Sequence, residues 1–208
     1  MRFAVSFKSA LLFLLICFIT FAKIIYIYMR VYKTYIQQLS FDGIAYKKGE
    51  VADLQKRFRI VCSSFPFKRN PEAKDLPSRD WAGEDGRDIY IPEKIPMKNY
   101  EIEAVFVYKG TEGTISSDIS DFVDFLYGRN ENAVGGRLAV YDEYVGMGRK
   151  DVHVLSVDND VYECSDADPD AIAEFKVKFA VEDPVTEIIP EYVSLSGVNA
   201  VRDLRFNI

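Results

Sequence analysis

Two stretches of the chain alternate apolar and polar side chains regularly enough to predict strands directly. In KNYEIEAVFVY, residues 98–108, Tyr100, Ile102, Ala104, Phe106 and Tyr108 share one face. In AIAEFKVKFAVED, residues 171–183, the apolar face is Ala171, Ala173, Phe175, Val177, Phe179 and Val181, opposite Glu174, Lys176 and Lys178. Asp183-Pro184 ends that strand. Between the two the period lengthens. In SSDISDFVDFLY, residues 116–127, Ile119, Phe122, Val123 and Leu126 form one helical stripe, with Asp118, Asp121 and Asp124 off it. Ser117 suits an N-cap, Asp118 suits the first turn, and Gly128 suits the C-terminal stop.

The weaker patterns fill in around these. Residues 31–46 are aromatic and β-branched with an Asp42-Gly43 turn signal, and read as a strand and a hairpin-like turn. Residues 54–65 alternate loosely and read as a second strand, and 65–86 as a long loop rich in Pro, Gly and charge. A short strand is expected at 88–92. RLAVYDEYV (137–145) and DVHVLSVD (151–158) read as strands joined by the glycine turn GMG. An acidic loop, ECSDADPDA, precedes the long strand at 171, and the tail to Ile208 offers one more short strand. The predicted class is α+β: mainly antiparallel sheet of six to eight strands, sandwich or barrel-like, with one short amphipathic helix at about 116–127.

The first 28 residues stand apart. SALLFLLICFITFAKIIYIYM, residues 9–29, is apolar except for Lys23, with Arg2 and Lys8 ahead and Arg30 and Lys33 behind. Its length suits a bilayer span and its basic start suits a signal peptide. Its restricted composition also suits an upstream extension foreign to the protein, with Met29 as the start. The expected division is therefore 1–28 as an apolar segment, 29–186 as a β domain, and 187–208 as a C-terminal tail.

Charge narrows the partners. The net charge is −6, which argues against nucleic acid as the main partner. Residues 1–69 carry 12 Lys/Arg against 3 Asp/Glu (+9), and 70–208 carry 14 against 29 (−15). Two differently solvated faces would produce this split, and so would copies stacked basic part against acidic part. Cys17, Cys62 and Cys164 form neither a metal spacing nor a disulfide framework.

Candidate chemistry is sparse. His153 is the only histidine, so a histidine-rich zinc site is excluded and any Ser-His-Asp or Cys-His arrangement would depend on it. Gly146-x-Gly148-Arg149-Lys150 lacks the spacing of a phosphate-binding loop. Asp166, Asp168 and Asp170 alternate like cation ligands but lack the glycine and closing glutamate of a calcium loop. No cofactor, catalytic residue or metal ligand is expected, and the chain reads as a non-enzyme. In LPSRDWAGEDGRDIYIP, residues 76–92, Trp81 reads as an anchor and Gly83 and Gly86 as turn formers. Arg79, Asp80, Arg87 and Asp88 are placed to order the loop by charge-assisted bonds. With Glu84, Asp85 and Gly86 they form the candidate assembly loop.

The order of elements from 31 to 184 resembles the N-terminal ring domain of bacteriophage distal tail proteins, and more broadly the tail-tube fold. The elements are an N-terminal strand pair, the EDGRD loop (84–88), YEIEAVFVY, ISDFVDFLYG, the pair RLAVYDEYVGMGRKDVHVLSV, and AEFKVKFAVEDP. The resemblance implies a structural virion component whose copies form a hexameric ring, joined to other phage tail proteins, with DNA passing through a lumen without sequence-specific binding. The alternative is a membrane-anchored or exported β-rich binding module using residues 9–29. A metal-dependent hydrolase built on the acidic loops is a third, minor reading.

Overall fold

The computed structural model describes residues 32–83, 85–111, 113–164, 170–195 and 198–207. The apolar stretch 9–29, Glu84, Asp166 and Asp168 lie outside the described residues. Residues Lys33–Ile208 form one compact unit. Among the described residues, no helix is long and apolar enough to cross a membrane.

Eleven strands are present among the described residues. β1 (Thr34–Phe41) and β2 (Tyr46–Asp53) form a hairpin about the Asp42-Gly43 turn, where Asp42 accepts from the Ile44 and Ala45 amides. A short helix, α1 (Leu54–Phe58), leads to β3 (Ile60–Ser64). β4 (Ser78–Arg79) and β5 (Asp88–Ile89) form a small separate ladder. Then come β6 (Tyr100–Thr111), α2 (Ile115–Tyr127), β7 (Arg137–Asp142), β8 (Met147–Cys164), β9 (Asp170–Val181), β10 (Glu187–Leu195) and β11 (Val198–Asn207). Nine of the strands make one antiparallel sheet, ordered β2-β1-β7-β8-β9-β6-β3, with the β10–β11 hairpin joined to β8 at the Glu187–Arg149 pair.

The connection between β2 and β3 shapes the sheet. They stand at opposite ends of a seven-strand path, yet only α1 separates them, and a helix advances about 1.5 Å per residue. The sheet must curl until its two ends approach. Its concave face holds the main core, into which α2 inserts Ile119, Phe122, Phe125 and Leu126. At its centre the Phe106 ring meets Phe122 at 5.4 Å, Phe175 at 5.7 Å, Phe65 at 6.2 Å and Phe179 at 6.3 Å. These are favourable aromatic separations.

A second, smaller core lies on the other face of β1 and β7, where Ile188 and Leu204 of the C-terminal hairpin cover Tyr35, Leu39 and Ala139. β1 is thus buried from Thr34 to Leu39 without alternation. Its polar side chains are satisfied inside. The Gln37 amide nitrogen donates to the Gly49 carbonyl (2.8 Å) and Asp203 (3.1 Å), and that of Gln38 to the Phe125 carbonyl (2.6 Å) and Asn130 (2.7 Å).

Several expectations need correction. Residues 54–58 are helical and not strand, because Asp53 caps them by accepting from the Lys56 amide and Arg59 ends them at φ 59°. The α2 N-cap is Thr114 rather than Ser117, whose hydroxyl donates back to the Thr114 carbonyl. Phe125 is fully buried, whereas Val123 is half-buried against the core. The β7–β8 turn ends at Gly146 (φ 65°), held by Asp142 accepting from the Tyr144 and Val145 amides, so Met147 and Gly148 already belong to β8. A Cβ at Gly148 would meet the Val140 carbonyl oxygen at 2.5 Å. The short strand expected at 88–92 covers only Asp88–Ile89. Six to eight strands are exceeded because the C-terminal tail is a full hairpin and because β2 precedes α1.

Candidate functional site

Between Phe67, which is buried, and Ile102, the next buried residue among those described, the chain runs as a long, largely exposed segment of the compact unit. No described residue from 68 to 99 is buried. The segment runs out and back as two strands of an arm. At its root Lys98 donates its amide to the Glu72 carbonyl (2.7 Å), Lys74 to the Pro96 carbonyl (2.8 Å), and Ala73 bridges Met97. The Lys98 ammonium pairs with Asp75 at 3.1 Å. At its tip Ser78 pairs with Ile89 and Arg79 with Asp88, and the Tyr90 amide donates to the Pro77 carbonyl at 3.0 Å.

Trp81 organises the tip. Its indole Nε1 donates to Asp88 Oδ2 at 2.9 Å, and the Arg79 guanidinium lies over its ring at 3.7 Å. Gly83 (φ 96°) and Gly86 (φ 93°) turn the chain in a region that favours glycine. Asp80, Asp85 and Arg87 are exposed. Of the residues singled out by sequence, the structure therefore brings Arg79, Trp81 and Asp88 into contact.

The apolar side chains that the arm presents were not singled out. Tyr90 is 69% exposed and Ile91 67%, and Ile89 and Ile95 are also exposed, beside Trp81. DIYIP reads from sequence as an ordinary strand, and only the absence of a covering layer shows that its side chains face solvent. Isolated exposed apolar residues are normal, whereas a run of them on one segment is unusual.

A polar junction fastens the C-terminal hairpin. Asp151, with φ 54°, accepts from the Tyr46 hydroxyl at 2.5 Å and from Arg137 at 2.9 Å. Lys150 pairs with Asp183 at 3.2 Å, and Lys48 with Asp203 at 3.0 Å while its ammonium lies 4.4 Å from the Phe206 ring centre. Burial and the Asp151 carboxylate push the Tyr46 hydroxyl above its ordinary pKa. Burial alone would lower Lys150, but Asp183, Tyr46 and Asp151 outweigh it and hold the ammonium above its usual value. Asp183 and Asp203 are likewise opposed by burial, yet their hydrogen bonds, to Thr186, Val185 and Lys150 and to Lys48 and Gln37 respectively, hold both carboxyls below the usual range. The junction is a fastening between β2, β8 and β11.

The one histidine is half-buried on β8, its Nδ1 3.9 Å from Glu182 Oε1. Among the described residues no cluster of three or more His, Cys, Asp or Glu is placed to hold a metal ion. A cleft of about 830 Å³ lies between α1 and α2, lined by Arg57, Arg59, Asp118, Asp121, Asp124 and Glu131 among others. Its charges are mixed, and Thr114 Oγ1 in its lining donates to Asp118 Oδ2 at 3.2 Å.

No family model matches the chain and no curated protein matches it. Among solved structures it is similar to the crystal structure of the Dit protein of SPP1, described as a paradigm of the hub adsorption apparatus in phages infecting Gram-positive bacteria. The identity is 16% and the TM-score 0.41, over 75% of this chain and 52% of that one. The chain thus spans about half the length of the protein it matches.

Proposed function

We propose that the chain is a structural subunit of a phage or prophage tail, a distal-tail or tail-tube-like protein that assembles with its own copies into a ring, hexameric by expectation, joining tube to tail tip. The observation that carries assembly is the arm. Thirty-odd consecutive residues contribute nothing to the core of their own unit, yet they are fixed by a root ladder, a tip ladder and the Arg79–Trp81–Asp88 contact. A chain orders such a segment for use against another surface, and its exposed Ile89, Tyr90, Ile91 and Ile95 suit an apolar seat. The tail reading is supported by the order of elements, which runs as the resemblance requires: strand pair, exposed loop, core-facing strand, helix ending at Gly128, strand pair, long alternating strand. The uneven charge along the chain supports stacking. The site residues Asp80, Glu84, Asp85, Gly86 and Arg87 belong to this proposal as the tip of the arm.

The test is the mass in solution of the full chain and of the chain from Met29, by light scattering over a concentration series, with electron microscopy of any large species. Closed rings in detergent-free buffer are expected. A strict monomer at every concentration, or a full-length chain that disperses only in detergent, would instead favour the membrane-anchored module that the apolar run 9–29 suggests.

A further inference from the structure

Arg149 is the largest of the fully buried side chains, at 2% exposure. It sits on β8 opposite Val140 of β7, and the neighbouring Lys150 projects outward to the polar junction. The guanidinium therefore faces the interior of the curled sheet. There it meets no carboxylate among the described residues. Its two bonds are to backbone carbonyls, one terminal nitrogen to Gly148 and the other to Lys68, both at 3.3 Å, and its Nε has no partner. The other buried side-chain polar atom left without a partner among the described residues is the Tyr100 hydroxyl.

The two orphans belong to the same end of the sheet interior. Tyr100 opens β6 and pairs with Val181 of β9, which pairs in turn with Val152 of β8, three residues beyond Arg149. Both lie against Lys68, whose carbonyl takes the Arg149 guanidinium and whose ammonium is 5.5 Å from the Tyr100 ring centre. The chemistry of this pocket of charge is one-sided. A guanidinium only donates, and a phenol hydroxyl is able to donate as well as accept. An uncompensated buried cation is among the most costly groups a fold can carry. A species that only accepts and carries negative charge satisfies both groups at once, whereas a water leaves the charge unbalanced.

We propose that Arg149 Nε and Tyr100 Oη bind a small monovalent inorganic anion, of the size and charge of chloride, beneath the root of the arm. The anion neutralises Arg149 and thereby holds the Lys68 segment where the arm begins. The proposal is independent of the tail reading, since it concerns the folded chain by itself.

The probe is chloride. Thermal unfolding of the full chain is followed from 5 to 500 mM chloride, with gluconate replacing it at constant ionic strength. For a dissociation constant in the tens of millimolar, Tm rises by roughly 3–5 °C across the series. Arg149→Met keeps the length and apolar body of the side chain and removes the charge, and it abolishes the chloride dependence whatever it does to Tm itself. Tyr100→Phe, which removes one hydroxyl and little volume, shifts the dependence to higher chloride and serves if the first variant fails to fold. A Tm in the native chain that does not respond to chloride overturns the proposal. So does an equal response in both variants, which would place the anion elsewhere on the surface.

Discussion

The arm can be removed without touching the core, and that makes its role measurable. Ala73 and Met97 pair as an antiparallel bridge, which sets their Cα atoms about 4.5–5.5 Å apart. An Asn-Gly turn closes such a pair, so residues 74–96 can be replaced by those two residues. Nothing buried is lost, because no described residue between 68 and 99 is buried. Shortening the closed loop from 23 residues to 2 lowers its closure entropy cost by at most about 2 kcal/mol. Tm is therefore unchanged or raised, by no more than about 4–8 °C. Assembly is affected in the opposite sense. Burying the exposed parts of Trp81, Ile89, Tyr90, Ile91 and Ile95 offers about 4–8 kcal/mol per arm. That corresponds to millimolar to micromolar association for one contact before ordering costs, so stable assemblies need several arms engaged at once. Calorimetry and light scattering on the same sample read both effects. A truncated chain that melts many degrees lower would make the arm part of the fold. One that assembles like the native chain would remove the arm from the interface.

Other consequences follow from the packing and the junction. Phe106→Ala removes the ring at the centre of the aromatic cluster and costs about 3–5 kcal/mol, measured by urea unfolding. Asp203→Ala unpairs Lys48 and leaves the buried Gln37 amide short of an acceptor, costing about 1–3 kcal/mol and exposing the C-terminal hairpin to proteases. Asp183 and Asp203 are held below their ordinary pKa of 3.8, so the unfolded chain binds more protons in this range. Their contribution is complete well above pH 3.8 and declines as pH falls through that value toward their folded pKa values; denaturant midpoints from pH 7 to 3 trace it, and a profile without that decline contradicts the junction's geometry.

What could be read from the sequence depended on how many sides of an element are covered. β6 and β9 each have one face on the aromatic core and one in solvent, so their alternation was plain and their inward residues correctly named. β1 has two cores, one on either face, and shows no period; its aromatic, β-branched composition still marked it as a strand. α1 is too short for any period to develop, and its cap signal, Asp53, looked like one more loop carboxylate. In the C-terminal hairpin Pro190 and the charges of Arg202, Asp203 and Arg205 disguised two strands whose inward residues, Ile188 and Leu204, are few. Arg79, Trp81 and Asp88 were all named from the sequence, and their contact follows from a cation, an indole N–H donor and a carboxylate lying within ten residues. The apolar side chains beyond them were not named, since an exposed Tyr-Ile pair and a buried one have the same letters.

The sheet order also dictates a timetable. β1 sits between β2 and β7, and its Thr34 pairs with Asp142, 108 residues further along. At about 5–20 residues per second of synthesis, the β1–β2 hairpin waits roughly 5–20 s for that neighbour. Its second cover, the β10–β11 hairpin, emerges later still. Throughout that interval Tyr35, Ile36 and Leu39 lack the part of their cover that β7, Ile188 and Leu204 supply. The nascent protein thus carries an incompletely covered, apolar strand edge until that hairpin arrives, and a cell producing many copies at once must keep those edges from finding one another before each has found its own chain's covering hairpin.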